Sequence, residues 1–124
     1  MDAPTLSWTF LAVIGSALAC FVRAFAVRRD RRRHVRWALT GAAIDVLGTV
    51  AVLVTVHGLG WRVPARDAAV AAVHRVLAYV ATGMLFLQAG TGIAKARAHP
   101  FLGPIFLVVY AVTYAVAAVA YGPW

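Results

Sequence analysis

Four histidines stand at the ends of hydrophobic segments of this chain, and imidazole is the commonest protein ligand for metals. His34 opens the second segment and His57 closes it; His74 lies near the start of the third, and His99 opens the fourth. If the segments cross a membrane in alternating directions, His34 and His99 share one face and His57 and His74 the other. His34 and His57 are 23 residues apart, about 34 Å along a helix, so one centre cannot use both. If metal binds, two separate sites are implied, one per face. Two imidazoles from two helices can ligate a haem axially, giving haem b as one expected cofactor. They can equally form an open copper or zinc site completed by water or a partner. A closed structural zinc site would want four ligands. Without a cofactor, each histidine is an interfacial polar residue at a helix end.

The elements that must position these side chains are membrane helices. The chain has 124 residues, 63% hydrophobic and 13% charged, with a mean hydropathy of +0.82; a soluble domain carries about twice that charge fraction. Four stretches reach the roughly 20 apolar residues a bilayer requires, at about 6–27, 37–57, 68–94 and 101–121. The expected fold is one all-α membrane domain over 1–124, an up-down bundle of four transmembrane helices. Met1-Asp2-Ala3-Pro4 lacks the basic start of a signal peptide, so the first segment is expected to stay as a helix. Cys20 is the only cysteine, which leaves no intrachain disulfide; it is expected to pack between helices.

The net charge of +8 is unevenly placed. Arg23, Arg28, Arg29, Arg31, Arg32, Arg33 and Arg36 surround the first connection, Lys95 and Arg97 the third, and only Arg62, Arg66 and Arg75 the second. That asymmetry is the positive-inside pattern. It predicts cytoplasmic first and third connections, both termini outside, and residence in the cytoplasmic (inner) membrane. The cluster Arg28–Arg36 should attract anionic lipids at the cytoplasmic face, and no recognition motif points to nucleic acid. Trp8, Trp61, Tyr121 and Trp124 are expected near the outer interface and Trp37 near the inner one.

Asp45 is the most unusual single residue. It lies about 13 Å beyond the start of its apolar run, close to mid-membrane, where an ionisable group costs at least about 2.5–3.5 kcal/mol. Eleven residues separate it from His34, which at about 100° per residue returns to nearly the same face. Gly41 and Gly48 lie there too. Asp45 is therefore a proton-relay or outer-shell candidate, or a carboxyl group hydrogen-bonded across the bundle to Gln88 or Thr49. Gln88 shares a heptad-spaced stripe with His74, Ala78, Ala81, Leu85 and Gly92, and is expected to act as interhelical glue or in an outer shell. Tyr110, Tyr114 and Tyr121 form a stripe explained by packing and interface anchoring. Arg33, Arg36 and Arg75 flank histidines and could meet haem propionates or lipid phosphates. No Gly-rich phosphate loop, Ser/His/Asp set, carboxylate pair or His-Glu-x-x-His occurs, so several enzyme classes find no support, and a binding, assembly or electron-transfer role is expected instead.

The histidine pattern resembles the small CtaM-like membrane proteins implicated in haem–copper (cytochrome) oxidase maturation. The matching elements are Arg33-His34-Val35-Arg36, Val56-His57-Gly58, Arg66 with His74 eight residues on, and His99 opening a helix that contains Val112-Thr113-Tyr114. They span roughly residues 30–121. The resemblance implies a metal- or haem-linked role in assembling a respiratory oxidase, with oxidase subunits as partners. A small b-type cytochrome carrying electrons across the membrane and a cofactor-free accessory subunit of a membrane complex are the competing readings. Four short helices also leave lateral surface for a second copy, which makes a homo-oligomer an expectation.

Overall fold

The computed structural model describes residues 3–61 and 64–122; Arg62 and Trp124 lie outside them. Four helices follow in order: α1 (Ala3–Ala26), α2 (Arg31–Leu53), α3 (Ala68–Ile93) and α4 (His99–Tyr121). One π-helical turn, Val54–Gly58, extends α2. All four are long and apolar enough to cross a membrane. The molecule is an all-α four-helix bundle of the multi-pass membrane type.

Local chemistry sets the helix starts. Asp30 caps α2, its Oδ1 accepting the Arg33 amide at 3.1 Å. That cap starts α2 at Arg31, ahead of the apolar run at Trp37. The arginines are tolerated in the first turns because long basic side chains reach water from an interfacial helix end. Asp67 caps α3 through bonds to the amides of Ala69 and Val70, as its position suggested. Pro100 occupies the first turn of α4, where its missing N–H costs little. Helix α3 ends at Ala94 with Lys95 left-handed at φ 52°. Lys95 N bonds Gly92 O and Ala96 N bonds Thr91 O, a Schellman closure that turns the chain directly into α4.

Helix α1 packs on α2, α3 on α4, and the two hairpins join through α1 and α4. The core lies along that central seam: Ala17 and Phe21 of α1, Ala81 and Leu85 of α3, and Phe106 and Tyr110 of α4. The Phe21 ring meets Phe106 and Tyr110 edge-on, each at 5.0 Å. Such pairs hold aromatic cores at defined angles. The inward face of α2 is Gly41, Asp45 and Gly48, the face expected from their spacing. Small residues matter here because helices in lipid associate through close packing rather than water exclusion.

The outer surface is apolar. Leu47, Tyr79 and Ile93 are 69%, 78% and 84% exposed, as suits a surface facing acyl chains or another protein. Outward hydroxyls are satisfied without water: Thr9, Ser16, Thr40, Thr55 and Thr91 each donate to the carbonyl four residues earlier. This back-bonding is the usual solution in an apolar solvent.

Candidate histidine site at one end of the bundle

The first turns of α2 and α4 bring His34 and His99 together. Their ring centroids are 6.0 Å apart and their planes nearly perpendicular, at 77°. Each ring is half-buried and anchored to a neighbouring helix end. His34 Nδ1 bonds Ala24 O of α1 at 2.9 Å, and His99 Nδ1 bonds Gln88 O of α3 at 3.1 Å. A carbonyl only accepts, so Nδ1 carries the hydrogen in both rings. In the neutral imidazole that leaves the Nε2 lone pair available. A main-chain carbonyl on one ring nitrogen, fixing ring and tautomer, is the usual support for a histidine that ligates metal through the other. Metal–nitrogen bonds are about 2.0–2.1 Å, which places the centroids of two imidazoles on one ion about 5–6 Å apart. The observed separation is compatible with that.

Gln88 and His99 form a reciprocal clasp. Besides accepting from the ring, Gln88 donates its side-chain Nε2 to His99 O at 3.3 Å. Its Oε1 is buried and has no hydrogen-bond partner among the described residues. Gly92 supplies the room for the ring, since a Cβ there would lie 2.9 Å from His99 Cε1 and 3.2 Å from Nδ1. Gly92→Ala is therefore expected to displace the ring and break the bond to Gln88 O. The cost should be about 1 kcal/mol, read by thermal unfolding together with a change in the His99 tautomer by nitrogen NMR. Gly90→Ala is the control, because a Cβ at Gly90 meets nothing within 4 Å.

The other end is arranged differently. His57 is exposed in the π-helical turn. His74 is half-buried, with Nδ1 on Thr113 O at 3.3 Å and its ring edge-on to Tyr121 at 5.5 Å. Among the described residues no hydrogen bond or ring contact joins His57 to His74, and no group of three or more His, Cys, Asp or Glu side chains could hold an ion. Arg36 and Arg75 are exposed, and Arg33 is paired with Asp30.

Asp45 is buried, and its partner is Tyr110, whose hydroxyl donates to Oδ1. Neither Gln88 nor Thr49 fills that role; Gln88 is engaged with His99 instead. Tyr110 belongs to a stripe whose spacing is fully explained by packing, so periodicity gave no sign of its hydrogen bond. The available signal was chemical, since a buried tyrosine needs a partner for its hydroxyl.

The bundle thus defines a class, multi-pass all-α membrane proteins, with a helix-end histidine pair as its chemical feature. No protein-family model matches the chain, and no curated protein or solved structure matches it significantly.

Proposed function

We propose that this protein binds a transition-metal ion or haem iron at one membrane face through His34 and His99, and serves in the assembly of a respiratory haem–copper oxidase. The supporting observation is the paired geometry: two imidazoles 6.0 Å apart, each with Nδ1 engaged by a main-chain carbonyl. The oxidase role rests on the resemblance to CtaM-like proteins alone. The positive-inside pattern of the sequence supports a cytoplasmic position for this end. A second centre at His57 and His74 lacks the same support, so the proposal rests on one centre. Asp45 lies beyond the reach of that centre, at the midpoint of the 28-residue span Arg31–Gly58.

Visible spectra and metal analysis of the purified full chain test this reading. Haem or copper should copurify with, or be taken up by, the wild type, and His34→Ala and His99→Ala should each abolish binding. His57→Ala is expected to retain it. Wild-type protein that takes up neither would sink the proposal. The cofactor-free accessory subunit would then be favoured, because the same ring bonds also tie α2 to α1 and α4 to α3.

A further inference from the structure

The arginines around the first connection are not equivalent. Arg33 is tied to Asp30, with Nε 3.3 Å from Oδ2. Arg28 lies over the Phe25 ring at 4.3 Å and donates from Nη1 to Phe25 O. Among the described residues no hydrogen bond, ion pair or ring contact engages the guanidinium groups of Arg31, Arg32 and Arg36. These three, with Val35, surround a shallow, wide-open depression whose surface is almost wholly apolar. Their spacing of i, i+1, i+4 and i+5 sets them on one side of the first turns of α2.

Trp37 sets an expected depth for this depression. Trp37 continues the same helix and is 40% exposed, and tryptophans on membrane helices settle at headgroup level. Arg31 to Arg36 precede it by about 2–9 Å of helix, on the water side of that ring. Three unneutralised cations and an open apolar surface therefore coincide at the level expected for lipid phosphates. Guanidinium is the side chain best shaped for phosphate oxygens, and the apolar surface suits the glycerol and first acyl carbons.

We propose that this depression is a binding site for the phosphate headgroup of an anionic phospholipid, with Arg31, Arg32 and Arg36 on the phosphate oxygens and Val35 against the glycerol region. Three free cations favour a headgroup carrying more than one negative charge. The site uses side chains other than the two imidazoles, although His34 stands in the same turn of α2.

Native mass spectrometry of the detergent-solubilised full chain, titrated with phosphatidic acid, reads the affinity directly. The variant Arg31→Gln/Arg32→Gln/Arg36→Gln should bind about tenfold more weakly or worse. The variant Arg29→Gln/Lys95→Gln/Arg97→Gln removes the same charge from exposed positions on the same face and should bind like the wild type. Circular dichroism should show unchanged helix content in both. Equal weakening in the two variants would mean diffuse attraction and overturn the site. Displacement of the lipid by inorganic phosphate at equal concentration would overturn the lipid as its ligand, as would wild-type protein that retains no lipid.

Discussion

Gly41→Ala is expected to destabilise the bundle by about 1–3 kcal/mol, the usual cost of overfilling a packed interface. The added Cβ would stand 2.8 Å from Phe21 Cε1, 3.0 Å from Cδ1 and 3.1 Å from Cys20 Cβ. Neither neighbour can yield easily. Cys20 Cβ is attached to the α1 backbone, and the Phe21 ring is held edge-on by Phe106 and Tyr110. The whole α1–α2 contact would have to open. Alanine has the higher helix propensity by about 1 kcal/mol, so any net loss understates the clash. Gly83→Ala separates the two effects, because a Cβ there meets nothing within 4 Å; it should be neutral or stabilising. Thermal unfolding of both variants in the same detergent decides the matter. Equal stability would mean that α1 and α2 do not approach as closely as described.

The second large effect belongs to the mid-membrane pair. Tyr110→Phe keeps the ring in its aromatic cluster but removes the donor to Asp45. It leaves a buried carboxyl group with one partner fewer, at an expected cost of about 1–3 kcal/mol. Asp45→Asn retains an acceptor oxygen for the tyrosine hydroxyl and should cost much less. Asp45→Leu combined with Tyr110→Phe removes both polar groups and should cost less than the two single changes added together. A double-mutant cycle by thermal unfolding measures the difference. Simple additivity would show that the hydrogen bond couples nothing. The pair is 8% and 4% exposed, so water cannot readily replace a lost partner.

These two sites show different degrees of legibility. The inward side of α2 was readable from spacing alone: Gly41, Asp45 and Gly48 return to one face, and they are the residues buried there. The pairing of His34 with His99 followed from alternation of the spans, and the structure joins those rings. Equal reasoning applied to His57 and His74, yet no contact joins them. Alternation fixes which end of the bundle a residue occupies, while lateral distance depends on helix order. Helices α1 and α4 take the centre and α2 and α3 the flanks, which separates residues of α2 and α3 unless their side chains reach inward.

By itself, then, the sequence determined that four helices are long and apolar enough to cross a membrane, where Asp67 begins one of them, and which faces of α2 and α3 turn inward. Hydrophobic length and helical period carry that information along each segment, independently of its neighbours. Only the tertiary structure decided which helix each inward face meets. It gave Asp45 to Tyr110, Gln88 to His99, and the main-chain carbonyls of Ala24 and Gln88 to the two histidine rings. The physical reason is that lipid and core are equally apolar. Hydropathy cannot choose partners there, and the choice falls to close contacts at small residues and to a few hydrogen bonds that form only once the helices are in place.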